Sequence, residues 1–215
     1  MESVYDLVLF DLDGTLTKSD PGITGSVIAT LNEMHLAIPQ NLYSFIGPPL
    51  YASFQEHCHM ADAQAQEAVL IYRKFYNESG IFKNAVYPGI LELLQSLRES
   101  GATLGVATSK PQPQAEMVLN HFKIAPFLDV ICGANPDERS STKTQLIEKA
   151  VAACKAEKSR TVMIGDTCYD AFGAKNAGVN FIGVLYGYGS QEEIEQEGGR
   201  AFVKSAQELK NLLIL

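Results

Sequence analysis

The apolar run Leu7-Val8-Leu9-Phe10 stops abruptly at Asp11-Leu12-Asp13-Gly14-Thr15. A short run rich in Val, Leu and Phe is what a strand covered on both faces requires. Side chains alternate along an extended chain, so Asp11 and Asp13 emerge on one side. Gly14 lets the backbone turn sharply and come close to a ligand. Two carboxylates at one strand end repel each other unless a cation sits between them. A hard divalent ion such as Mg²⁺ suits their oxygens. The plainer alternative is an acidic turn with no ligand.

Short apolar runs recur at 103–107, 129–132, 161–164 and 181–184. Between them lie stripes at helical spacing. One is Ile90, Leu91, Leu93, Leu94 and Leu97; another is Val118, Leu119 and Phe122; a third is Leu146, Ile147, Ala150 and Val151. Strands alternating with helices predict an α/β fold, a doubly wound, Rossmann-like parallel sheet covered on both faces. Residues 17–85 break the rhythm. They carry helical patterns at 23–34 and 61–77, a Gly47-Pro48-Pro49 corner and no convincing buried strand. They read as a helical insertion, leaving 1–16 and 86–215 as the core, with boundaries near 16–19 and 84–88.

The 215 residues are 46% hydrophobic, enough for one large core with an insertion. A net charge of -8 argues against a nucleic-acid backbone as the main partner. Cys58, Cys132, Cys154 and Cys168 show no Cys-x-x-Cys spacing and read as reduced thiols. Without a visible secretory signal or a run of membrane-spanning length, a soluble cytoplasmic protein is expected.

Open parallel sheets bind ligands beyond the carboxyl ends of their strands. There the polar residues gather. Thr108-Ser109-Lys110 offers two hydroxyls and an ammonium to phosphate oxygens, or merely caps a helix. Arg139-Ser140-Ser141-Thr142-Lys143 opens another helix. A lysine there is unfavourable by the helix dipole, which favours a functional reading. Gly165-Asp166 ends a further apolar run, with Asp170 one turn on; an N-cap and a surface aspartate are the alternative. With Asp11 and Asp13, four carboxylates converge on one sheet edge, a cluster that repels itself without a cation. Lys18 and Arg139 face a substrate's distal group or are ordinary surface charges. Tyr186 and Tyr188 border the site or belong to a packed loop. His57-Cys58-His59 is not read as a metal site, since neighbours two apart on a helix diverge.

Asp11-Leu12-Asp13-Gly14-Thr15, Thr108 after an apolar run, a later lysine, and Gly165-Asp166 with Asp170 resemble the ordered motifs of the haloacid-dehalogenase-like hydrolase superfamily. The resemblance spans essentially the whole chain, and the insertion resembles that superfamily's helical cap. Thr17-Lys18-Ser19-Asp20-Pro21-Gly22-Ile23, Phe45-Ile46-Gly47-Pro48-Pro49-Leu50, Val86-Tyr87-Pro88-Gly89 and Val184-Leu185-Tyr186-Gly187-Tyr188-Gly189 resemble its phosphoglycolate-phosphatase-like branch.

The resemblance implies a Mg²⁺-dependent phosphatase acting on a small phosphorylated metabolite. Asp11 would be the nucleophile that forms an aspartyl-phosphate, and Asp13 the general acid and base. Asp11, Asp166, Asp170 and the Asp13 main-chain carbonyl would hold the metal, Asp170 directly or through water. Thr108 and Lys143 would hold the transferring phosphoryl, with Lys110 as a rival to Lys143; Gly14, Ser109, Lys110 and Lys18 are the substrate-side candidates. An acid two residues after the nucleophile favours phosphoryl transfer over dehalogenation. A phosphomutase and a non-catalytic phosphate-binding module are the alternative readings.

Overall fold

The structure is a computed structural model that describes residues 2–136 and 141–215. Strand β1 (Leu7–Phe10) leads into a short β2 (Thr17–Lys18). Helices α1 (Asp20–Glu33), α2 (Leu50–Cys58) and α3 (Asp62–Phe75) follow, the last running into a π-helical turn at Tyr76–Gly80. The chain returns through β3 (Ala85–Val86) to α4 (Ile90–Glu99), β4 (Thr103–Pro111), α5 (Gln112–His121) and β5 (Val130–Ala134). It ends with α6 (Lys143–Cys154), β6 (Thr161–Gly165), α7 (Cys168–Ala177), β7 (Asn180–Val184), α8 (Gln191–Gln196), β8 (Phe202–Val203) and α9 (Ala206–Leu213).

Six strands form one parallel sheet in the order β5-β4-β1-β6-β7-β8. The period of two along β1 sorts its side chains into two cores. Val8 and Phe10 pack with Leu104, Val106, Val162 and Ile164 beneath α4, α5 and α9. Leu7 and Leu9 pack with Ala107, Cys132 and Met163 beneath α6 and α7. Each such fully buried Leu or Phe stabilises the fold by about 1.5–3 kcal/mol relative to exposure. This is the doubly wound α/β architecture the alternating pattern predicts. The order switches at β1, whose neighbours β4 and β6 run on to either side, so the end of β1 faces the crevice between their loops.

Four local features depart from the sequence reading. Leu91 is 37% exposed, because it flanks the stripe that buries Ile90, Leu93, Leu94 and Leu97. Strand β4 runs past Ala107 to Pro111, with a register shift against β5 between Thr108 and Pro111. Helices α2 and α9 and edge strand β8 lie where the sequence reading names no element; two residues of β8 are too few to carry a pattern. Finally, β2 and β3 pair antiparallel where the insertion leaves and rejoins the core, Thr17 opposite Val86 and Lys18 opposite Ala85.

Ile23, Val27, Leu31, Phe45, Phe54, Ala65, Ala68, Val69 and Tyr72 of the helices between β2 and β3 are buried in one continuous core with Val8 and Phe10. All four cysteines are free. Among the described residues no helix is long and apolar enough to cross a membrane.

Candidate active site

The Asp11 N–H extends the β1–β6 ladder by one step, donating to the Ile164 carbonyl at 2.9 Å. The chain then reverses tightly: Leu16 and Thr17 N–H donate to the Leu12 carbonyl, and the Gly14 N–H to that of Thr17. Gly14 sits at φ +88°, and a Cβ there would lie 2.1 Å from Asp166 Oδ2, so no other residue fits without displacing that carboxylate. Asp166 follows β6. Its Oδ1 accepts from the Thr15 hydroxyl at 2.9 Å and its Oδ2 from the Tyr188 N–H at 2.8 Å.

Asp170 is fully buried in the first turn of α7 and is no surface residue. Its Oδ2 accepts from the Thr167 N–H at 3.1 Å and hydroxyl at 2.7 Å, capping that helix, while Oδ1 lies 2.8 Å from Lys143 Nζ. The N-cap of α7 is thus Thr167 and not Asp166. Lys143 opens α6, whose start is fixed by the reciprocal Thr142–Gln145 capping box. Its ammonium lies 3.0 Å from Asp11 Oδ1 and donates to the Ala107 carbonyl at 3.2 Å. Gly173 of α7 makes room for it: a Cβ there would lie 2.6 Å from Lys143 Cγ.

Lys110, at the end of β4, turns the other way. Its ammonium is 2.7 Å from Asp13 Oδ2 and donates to the Tyr76 hydroxyl at 2.9 Å. The two lysines therefore serve different carboxylates, and Lys143 is the one beside Asp11.

Four carboxylates face two ammonium groups here, all six side chains buried. Fully ionised, the group carries two net negative charges, the deficit that one divalent cation offsets. Burial outweighs the Lys143 charge at Asp11 and pushes that carboxyl up to about 6; the charges of Asp170 and Asp13 act in the same direction. Asp166 is pushed well above its ordinary value by burial, then by the charges of Asp170 and Asp11. Oxygens of Asp11, Asp166 and Asp170 lie within 4.8 Å of one another. Asp11 Oδ1 and Asp170 Oδ1 are buried and meet Lys143 by distance without a well-directed hydrogen bond. An all-oxygen, anionic set with unmet acceptors fits a hard divalent cation.

A cleft opens from these carboxylates towards the inserted helices. It is lined by Asp11, Asp13, Thr108, Ser109 and Lys110 on the core side, and by Ile23, Phe45, Leu50, Tyr72 and Tyr76 opposite. Thr108 is almost fully buried and its hydroxyl accepts from the Lys110 N–H at 3.3 Å. Lys18 is exposed on β2. Arg139 and Ser140 lie outside the described residues. Tyr186 and Tyr188 reach the chain on either side of β2: the Tyr186 hydroxyl donates to the Thr15 carbonyl, and that of Tyr188 bonds Asp20 at the start of α1.

Thr15, Tyr76 and Gly173 also pack against this cluster, and the sequence reading does not single them out. Thr15 adjoins a recognisable motif. Tyr76 and Gly173 look like ordinary helix residues until the chain is folded.

A parallel α/β core that gathers four aspartates and two lysines at its switch point places an acidic, oxygen-rich cluster where open parallel sheets bind ligands. The sequence matches the family described as haloacid dehalogenase-like hydrolase over residues 8–184. A 5'-nucleotidase from Pseudomonas aeruginosa is 40% identical over 192 residues, covering 88% of this chain and 87% of that one. A phosphoglycolate phosphatase from Caulobacter vibrioides is 31% identical over 216 residues, covering 95% and 91%. Among solved structures, a predicted phosphatase from Clostridium acetobutylicum superposes with a TM-score of 0.92 at 42% identity, covering 98% of both chains. The chain belongs to the haloacid dehalogenase-like hydrolase family, in its phosphoglycolate-phosphatase-like branch, and is a phosphoric monoester hydrolase.

Proposed function

We propose that the protein is a Mg²⁺-dependent phosphatase that cleaves a small, soluble organic phosphomonoester in the cytoplasm through an aspartyl-phosphate on Asp11. The carrying observation is the division of labour between the buried pairs: Lys143 beside Asp11, and Lys110 beside Asp13. One carboxylate is thereby offered to phosphorus and the other, two residues on, to a proton.

Asp11 attacks the phosphorus in line, and the bond to the ester oxygen breaks as the bond to Asp11 forms. Asp13 gives its proton to the departing oxygen and then takes one from the water that splits the intermediate. The Thr108 hydroxyl, the neighbouring Ser109 and the Lys143 ammonium hold the phosphoryl oxygens and offset their charge. Asp11, Asp166, Asp170 and the Asp13 carbonyl would hold Mg²⁺, which when bound removes the repulsion between the nucleophile and an anionic ester. Residues 17–85 act as the cap, and its side chains exclude water from the cleft. Gly14 keeps the turn close to the phosphoryl, and Lys18 stands at the cap's root for a distal charge.

The wall of Ile23, Phe45, Leu50, Tyr72 and Tyr76 supports a leaving group with an apolar or flat face, as a nucleoside monophosphate has, over inorganic pyrophosphate. The test is phosphate release from a panel of metabolite esters with Mg²⁺, with Asp11→Asn as the blank. Release by the wild type and none by the variant is expected. No release from any ester with any divalent metal would leave a non-catalytic module.

A further inference from the structure

Tyr76 stands at an unusual place. It opens the π-helical turn after α3, where the α-helical ladder is broken, and such turns often mark functional positions. It is 4% exposed and stacked on Tyr72 at 5.5 Å, with its ring 4.8 Å from Lys110 Nζ. Gly80 packs closely against the ring, since a Cβ on it would lie 3.0 Å from Tyr76 Cδ2. The hydroxyl so held takes one N–H of Lys110, and Lys110 in turn holds Asp13 Oδ2. Asp13 Oδ1 is left buried and without a hydrogen-bond partner. A carboxylate paired through one oxygen presents the other as a proton acceptor.

We propose that Tyr76 and Lys110 are positioning residues that aim Asp13 at the water which breaks the aspartyl-phosphate, so that the inserted helices commit the phosphorylated enzyme to hydrolysis. This rests on the phosphatase reading above. In the step concerned, the water oxygen bonds to phosphorus as the phosphorus–Asp11 bond breaks. The water's proton passes to Asp13 Oδ1, Asp11 recovers its carboxylate, and inorganic phosphate leaves. Without the Tyr76–Lys110 link, Asp13 swings on its own χ angles and the second half-reaction slows, while Asp11 and its phosphoryl cradle are untouched.

The experiment compares wild type, Tyr76→Phe and Lys110→Met on a chromogenic aryl phosphate with Mg²⁺. Aryl leaving groups depart readily, so the first half-reaction stays fast. In both variants kcat is expected to fall about 10-fold or more, KM to fall in parallel, and kcat/KM to stay within about 3-fold. Acid-quenched variant protein should carry nearly one phosphate per chain, absent when Asp11→Asn is added. Tyr76→Phe keeps the ring and decides the question even if Lys110→Met unfolds. Unchanged kcat, or a fall in kcat/KM with no phosphoprotein, overturns the inference. A raised KM in Lys110→Met alone also overturns it, by placing Lys110 on the substrate. Wild type that releases no phosphate overturns the phosphatase reading itself, and the inference with it.

Discussion

Lys143 and Lys110 are both buried ammonium groups within one cluster, and what separates them is the element that carries each. Lys143 rises from the first turn of α6 and threads past Gly173 to Asp11 and Asp170. Lys110 leaves the end of β4 and meets Asp13 and Tyr76. Removing one partner of a buried charge pair leaves the other uncompensated, at a cost of about 3–5 kcal/mol. Lys143→Met is therefore expected to destabilise the metal-free protein by about 3 kcal/mol in urea titrations and to abolish phosphate release. Added Mg²⁺ should recover part of the stability and none of the turnover. Full turnover in folded Lys143→Met would return the phosphate-contacting role to Lys110.

At the scale of elements, the site depends on how closely α6 and α7 approach. Gly173 lies where the Lys143 stem crosses α7, and a Cβ on it would also stand 3.3 Å from Ile147 Cδ1. Larger side chains at a close helix crossing force shifts that cost about 1–3 kcal/mol. Gly173→Val should lower the unfolding free energy in urea titrations by that order and reduce phosphate release, because the same shift displaces the ammonium from Asp11. Wild-type activity in a destabilised Gly173→Val would show that α7 can move without taking Lys143 with it. The elements themselves were legible to different degrees. The interior strands announced themselves because burial on both faces demands an unbroken apolar run. The β2–β3 pair did not, because two residues stabilised by pairing across a long insertion leave no periodic trace.

Across the whole molecule, the acidic cluster makes stability depend on pH. Burial raises the Asp11 carboxyl to about 6 from an ordinary 3.8, so the folded protein binds its proton more tightly than the unfolded chain. The resulting contribution is fully present below about pH 4 and is lost as pH rises through about 6. Asp166 acts in the same direction. A bound divalent cation takes over the proton's role of offsetting charge. The gain in Tm from saturating Mg²⁺ should thus be larger near about pH 7.5 than near about pH 5 in parallel thermal melts. An equal gain at both values would mean the ion does not sit on these carboxylates.

The sequence by itself determined the parallel sheet and the acidic and hydroxyl-bearing strand ends, because periodicity and strand-end chemistry are local properties. Of the candidate site, Asp11, Asp13, Thr108 and Asp166 are legible as types at strand ends, and Lys143 and Asp170 as charges in the first turns of helices. Which lysine meets which aspartate, that Tyr76 reaches Lys110 across 34 positions of chain, and that Gly173 clears a path for Lys143 were decided by tertiary structure alone. Such pairings arise only when separate elements pack, and nothing in one stretch of chain records which distant side chain will fill the space beside it.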